Sequence, residues 1–190
     1  MDGTQVLRQE HDFILKVLDA SDEVARRLQN GVAMPPQMLD DLLEFFRLFS
    51  DRCHHGKEEE FLFPLLESKG VPRDGGPIGV MLSEHDDGRA LIRFMGQAAQ
   101  EYRAGAVEAG PRWAGDAKAY SMLLRQHIGK ENEVLFVIAE RMLSAEEQAK
   151  LAADFERVEI EKMGAGTHER LHAQMERLLK DIAKSRAANS

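Results

Sequence analysis

The chain carries one pattern twice, "HHGKEEEFLF" from His54 to Phe63 and "HIGKENEVLF" from His127 to Phe136, both readable as H-x-G-K-E-x-E-x-L-F. His54 and Glu58 are four residues apart, as are His127 and Glu131, and on a helix that spacing sets both side chains on one face, one turn from each other. Imidazole with carboxylate, and no thiolate among the candidates, is a donor set for iron, manganese or zinc. For either copy alone, a solvated charged face is an equal reading, because "GKEEE" and "GKENE" are rich in charge. A second duplication changes the balance: "EHD" occurs at Glu10–Asp12 and again at Glu84–Asp86, ahead of each copy. His54 follows His11 by 43 residues, and His127 follows His85 by 42.

The elements that must position these groups are helices. Apolar residues recur at helical spacing from about residue 4 to 30, and Gly31 is a natural stop. A second helix runs from Gln37 to about Leu66, with a kink or an early end expected at Pro64, which lacks the N–H for Glu60. A third spans about 77 to 102, begun by Pro77, and a fourth about 112 to 143. Ser144 with Glu147 forms a capping box for a fifth helix, and Thr167 can cap a sixth after Gly164 and Gly166. No segment alternates as a strand does, so the expected fold is all-α: an up-down-up-down four-helix bundle over residues 1–143, with a helical extension over 144–190 packed on it. In an antiparallel hairpin, facing residues lie about equally far from the turn. The midpoint between His11 and His54 falls in "NGVAMPP", and that between His85 and His127 falls in "RAGAVEAGP". Two hairpins packed with their marked faces inward therefore bring four His and two Glu to one level. Six such groups would cost about 1–3 kcal/mol each if buried without partners, and a metal centre satisfies them. The near-twofold set predicts two ions, with a Glu from each half able to bridge them.

Composition agrees with such a bundle. The 190 residues are 43% hydrophobic and 31% charged, which suits one folded domain. A net charge of -8 without a basic cluster argues against a nucleic-acid partner. No apolar run approaches the length of a spanning helix and the start lacks the marks of a secretory signal, so no membrane association is expected. A single Cys, Cys53, excludes an internal disulfide framework and fits a reducing compartment; the expected location is cytoplasmic.

Other residues carry weaker signals. His55 and Glu59 are also four apart, but Ile128 and Asn132 stand in the matching places of the second copy, so both are candidates for a supporting shell or an additional ligand only. Gly56 and Gly129 point to close helix approach. Cys53, Phe45, Phe49, Met81, Phe94 and Met122 read as core.

The ordered set "EHD", "HHGKEEEFLFP", "EHDDGRAL" and "HIGKENEVLF", over about residues 5 to 143, resembles the hemerythrin-like family of HHE cation-binding domains. The resemblance implies a four-helix bundle with a non-haem di-iron centre bridged by two carboxylates and a solvent oxygen. His11, His54, His85 and His127 would be terminal ligands, and Glu58 and Glu131 the bridges. Two departures matter. Oxygen-carrying members place a His where this chain has Arg89, and they use an Asp five residues after the last His where this chain offers Glu131 at four. The pattern is closer to the H-HxxxE-H-HxxxE branch, similar to bacterial hemerythrin-like proteins and to a domain of an iron-sensing F-box protein. His168, on the sixth helix, is a candidate for an additional ligand, folding across the bundle mouth to supply what Arg89 cannot, or for the supporting shell, with His172 one turn further out. The function expected is binding of, or reaction with, O2, peroxide (H2O2) or nitric oxide (NO) at two Fe ions, Mn or Zn being the substitutes. A turnover enzyme would be catalase-like or peroxide-reducing. The competing reading is an iron or oxygen sensor without turnover, which would need a protein partner.

Overall fold

Helical spacing of the apolar residues, broken by glycine, gives six helices in the computed structural model, which describes residues 2–164 and 166–187. α1 is Gly3–Gln29. α2 runs continuously over 36–68: α-helical at Pro36–Phe45, π-helical at Phe46–His55 and at Glu58–Leu62, then α-helical at Phe63–Ser68. α3 is Pro77–Arg103. α4 runs over 109–142, with a π-helical segment at Glu131–Leu135 between Ala109–Lys130 and Phe136–Met142. α5 covers Ala145–Val158 and the π-helical Glu159–Met163, and α6 is Thr167–Ala187. No strand occurs among the described residues. The structure is thus the expected all-α bundle with further C-terminal helices.

Two hairpins form where the spacing placed them. Gly31 and Gly105 take φ of 75° and 100°, left-handed values open to glycine, and so end α1 and α3. Tyr102 Oη, from the end of α3, lies 3.0 Å from both the N–H and the carbonyl of Met34 and ties one turn to the other. α4 packs along α1 and α3, while α2 packs on α3. The capping box at Ser144 is present: Glu147 N–H donates to Ser144 Oγ (3.2 Å) and Ser144 N–H donates to Glu147 Oε2 (2.8 Å).

The interior contains two apolar clusters. One lies toward the hairpin turns and includes Phe13, Val17, Leu42, Phe45, Phe49, Met95, Trp113 and Tyr120. The other lies toward the opposite end and includes Leu7, Leu62, Phe63, Met81, Leu135 and Phe136. His11, His54 and His85 fall between them along their helices, and His127 lies at the border beside Ile128 of the first cluster, so a polar layer is sandwiched between two apolar ones. The C-terminal extension contributes to both clusters: α5 adds Leu151 and Phe155 to the second, and α6 adds Leu171, Met175, Leu178 and Ile182 to the first.

Several local expectations are corrected. α2 does not end at Pro64; it continues to Ser68. Phe63 N–H donates to Glu58 O, a five-residue span, and Phe136 N–H does the same to Glu131 O. The second copy has Val137 where the first has Pro64, so the wide turn belongs to the repeat rather than to the proline. Such π turns inside α-helices favour functional sites. Phe94 and Met122 are not core: they are 53% and 58% exposed. At Gly56 and Gly129 an added Cβ would meet nothing within 4 Å, so close helix approach does not account for them and nothing in the structure does.

Because Leu171 and Met175 of α6 are fully buried against the bundle, replacing either with Ala should lower the unfolding free energy by about 2–5 kcal/mol in urea titrations. Losses below about 0.5 kcal/mol, the range of surface changes, would show that α6 is only tethered.

Candidate metal centre

Each long helix of the bundle brings its imidazole to the polar layer, and α2 and α4 bring a carboxylate one turn further on. His11, His54, Glu58, His85, His127 and Glu131 are all buried. The rings of His11 and His54 are 4.6 Å apart, and those of His85 and His127 are 4.8 Å apart. The two carboxylates lie between these pairs. Glu58 Oε1 is 3.5 Å from His54 Nε2, and its Oε2 is 3.5 Å from His85 Nε2. Glu131 Oε2 is 3.2 Å from both His127 Nε2 and His11 Nε2. Each Glu thus spans from the His of its own helix to the leading His of the other hairpin.

The other ring nitrogen, Nδ1, is held in all four cases. His54 Nδ1 meets Glu10 Oε2 at 2.9 Å and His127 Nδ1 meets Glu84 Oε2 at 3.0 Å. Lys57 holds Glu10, and Lys130 holds Glu84. His11 Nδ1 meets Asn132 Oδ1 at 3.0 Å and His85 Nδ1 meets Glu59 Oε1 at 2.7 Å. Carboxylate and amide oxygens only accept, so each Nδ1 carries a proton and each ring turns its Nε2 to the centre. The sequence reading missed Glu10, Glu84, Lys57 and Lys130, although all four were repeated at the same spacings. Glu59, expected to support the site or add a ligand, does the former, and Asn132, noted only as a poor ligand, does the same: the residue after each central Glu orients a His of the opposite hairpin.

The atoms left over fit a cation. The Nε2 atoms of His11 and His54, and all four carboxylate oxygens of Glu58 and Glu131, are buried without a hydrogen-bond partner. His85 Nε2 and His127 Nε2 face each other at 3.1 Å. Two sets of ligand atoms lie within 4.8 Å of one another: His11, His54, Glu58 and Glu131, and His55, Glu58, His85 and His127. Glu58 belongs to both.

Charge in the layer is set by burial and by these neighbours. Burial pushes His54 down to about 4, against the pull of Glu10, and lowers His85. Burial, then the Glu131 carboxylate, raise Glu58 well above the usual range. Burial works the same way on Glu131, but His127 and His11 overcome it and keep that carboxyl ionised. His127 is raised, because Glu131 and Glu84 outweigh its burial. Glu10 is held at about 2 despite burial, by His54 and Lys57.

The remaining candidates are placed differently. His55 is buried, not exposed, and lies flat on His85 at 3.8 Å. Arg89 donates to Glu59 Oε1 at 2.6 Å and to Asp51 Oδ1 at 2.8 Å, so it steadies the carboxylate that holds His85. His168 is not brought to the six. It stands behind Glu10, with Nε2 4.0 Å from Glu10 Oε1 and its ring 5.0 Å from Phe49. His172 stacks on Phe13 at 3.9 Å. Glu10, Glu159 and His168 form a third cluster of donor atoms, but Lys57 already binds both carboxylates there.

Residues 2–139 match the family of the hemerythrin HHE cation-binding domain. The chain belongs to the hemerythrin family. It is a metal-binding member by this assignment and by its buried donor sets. An uncharacterised protein of Mycobacterium tuberculosis (strain ATCC 25618 / H37Rv) is 29% identical over 158 residues, covering 83% of this chain and 61% of that protein. The iron-sulfur cluster repair protein YtfE of Escherichia coli O1:K1 / APEC is 34% identical over 117 residues, covering 59% of this chain and 53% of its own. The chain therefore spans about three-fifths or less of the length of these relatives. No helix among the described residues is long and apolar enough to cross a membrane.

Two outcomes follow from this geometry. Glu10→Gln and Glu84→Gln should each weaken metal binding by about 10–100-fold in chelator competition, because each removes the charge that orients a His. Glu58 and His127 both hold protons above their ordinary ranges, yet both must be deprotonated to ligate. Metal uptake near pH 7 should then release about one proton or more per chain in a pH-stat, and affinity should fall as the pH is lowered. Uptake without proton release would contradict this charge assignment.

Proposed function

We propose that the chain is a cytoplasmic non-haem di-iron protein that binds or reacts with O2, peroxide or nitric oxide. The observation that carries this reading is the pair of buried donor sets that share Glu58. His11 and His54 would hold one ion, His85 and His127 the other, and Glu58 and Glu131 would bridge. The irons, when bound, would supply electrons and Lewis acidity for the small oxidant. Manganese or zinc can occupy such a donor set, but zinc, with no redox chemistry of its own, would supply no electrons.

The chain's own part is to orient, to exclude water and to hold charge. Glu10, Glu84, Glu59 and Asn132 fix the ring planes through Nδ1, so the four Nε2 atoms are aimed before an ion would bind. Phe136 stacks on His11 at 5.3 Å and Phe63 on His85 at 5.9 Å. These two rings, with the apolar clusters above and below, keep the layer dry and restrict entry to small molecules.

A sensor without turnover is favoured by one observation of its own. Lys57, fully buried, binds Glu10 on one side and Glu159 of α5 on the other. His54 is thereby connected through two ion pairs to the C-terminal extension, a route by which metal occupancy could reach a protein partner. The iron-sulfur cluster repair named for the YtfE relatives is a further candidate role.

Protein from iron-replete cells should contain two irons per chain and absorb visible light when oxidised but not when reduced. Zinc without visible absorption would overturn the redox reading. Glu58→Ala should lower the iron content to about one or none, since it removes a donor common to both sets. Oxygen evolution from peroxide then separates the roles: many turnovers mark the enzyme, and a stoichiometric burst marks the sensor.

A further inference from the structure

Of the four groups that hold the rings through Nδ1, three are carboxylates and one is an amide. Glu10, Glu84 and Glu59 accept from an imidazole whichever oxygen they present. Asn132 has two unlike edges: Oδ1 accepts, whereas the Nδ2 amine donates. Turned end for end in the same place, that amide would donate to His11 Nδ1. The proton of a neutral ring would then sit on Nε2, the atom that has to be bare to ligate. Glu131 Oε2, 3.2 Å from His11 Nε2, is placed to accept it there. His11 and Asn132 by themselves can pair in either sense, and only one sense serves a metal.

Arg8 decides between them. It lies one turn before His11 on α1 and reaches along α4, where Asn132, Phe136 and Glu140 succeed one another at one-turn intervals on a single face. Its Nε and Nη2 donate to Glu140 Oε1 at 3.2 and 3.1 Å. The guanidinium carbon stands 5.4 Å from the centre of the Phe136 ring, which in turn stacks on His11. Anchored in this way, Nη1 donates to Asn132 Oδ1 at 3.2 Å, the same oxygen that His11 Nδ1 meets at 3.0 Å. A guanidinium has donors only, so a reversed amide would set its own N–H groups against Nη1.

We propose that Arg8 is a positioning residue for the metal centre: by holding the Asn132 amide with Oδ1 toward His11, it keeps the ring proton on Nδ1 and leaves Nε2 to the ion. This rests on the reading of His11 as a ligand. Glu59, the counterpart of Asn132, needs no such guard, because either of its oxygens serves His85.

The test uses the full chain with ¹⁵N-labelled histidine. Two-bond proton–nitrogen correlation spectra of the metal-free protein, at a pH above about 8 where an ordinary imidazole is neutral, distinguish rings protonated at Nδ1 from rings protonated at Nε2. The His11 signal is the one missing from His11→Gln. It should report Nδ1–H in the wild type. Arg8→Met keeps an apolar stem on Phe136 but no donor; most of its His11 signal should move to Nε2–H, and zinc affinity in chelator competition should fall by about tenfold. Adding Asn132→Asp to Arg8→Met should restore both, since a carboxylate has no donating edge to turn inward. Arg8 and Asn132 both retain solvent contact, so helix content should be unchanged in each variant. A packing or charge role for Arg8 would leave the tautomer alone. A wild-type ring protonated at Nε2, Nδ1–H retained in Arg8→Met, or Nε2–H persisting in the double variant would overturn the proposal while leaving the ligand set intact. A moved tautomer with unchanged zinc affinity would instead remove His11 from the ligands, and the proposal would fall with that reading.

Discussion

Two carboxylates and a cluster of imidazole lone pairs are held facing one another in a water-excluded layer, and every other feature of the protein answers that constraint. Bringing such groups together in a low dielectric costs several kcal/mol per charge unless a cation or a proton sits between them. Burial pushes Glu58 toward its protonated form while Glu131 stays ionised beside His127, which is how the metal-free chain reduces the repulsion. The two apolar clusters on either side prevent water from doing the same. A helical bundle of this size would be more stable with leucine at these places. The layer persists because a metal ion turns its cost into binding energy.

The doubled motif has a physical explanation at almost every letter. Its His and first Glu face the centre. Its Lys secures the carboxylate that fixes that His, Glu10 in one half and Glu84 in the other. The residue after the Glu, Glu59 or Asn132, reaches across to the leading His of the opposite hairpin, and the terminal Phe stacks on the same ring. The halves therefore serve each other. A single hairpin would present two His and one Glu with half their supports missing, so the pattern occurs twice because the site is made of exchanged parts.

The frame is symmetric but its surroundings are not. Glu59 is an anion braced by Arg89, whereas Asn132 is neutral and accepts from Arg8 at 3.2 Å. Lys57 is sealed beneath α5 by Glu159, whereas Lys130 is half exposed. The C-terminal extension thus adds charge and cover to one side of the layer only. Hemerythrin-family bundles can share a ligand frame and still differ in chemistry, since unequal outer groups alter affinity and potential without changing the ligands.

Much of this was legible in the chain itself. The helices, the hairpin turns at Gly31 and Gly105, the Ser144 capping box and the convergence of His11, His54, Glu58, His85, His127 and Glu131 follow from local spacing, because helical period and distance from a turn determine which residues can meet. The wide π turns after Glu58 and Glu131 did not follow, since they depend on a backbone register that no residue type marks. Phe94 and Met122 looked like core and lie outside, because apolarity does not say which face of a helix finds a neighbour. Where His55 and His168 would lie was also undecided: each has the right chemistry, and only the packing of α2 on α3 and of α6 behind Glu10 sets His55 against His85 and His168 beside Glu10. Local order comes from the sequence; the choice among equivalent side chains comes from which helix faces are pressed together.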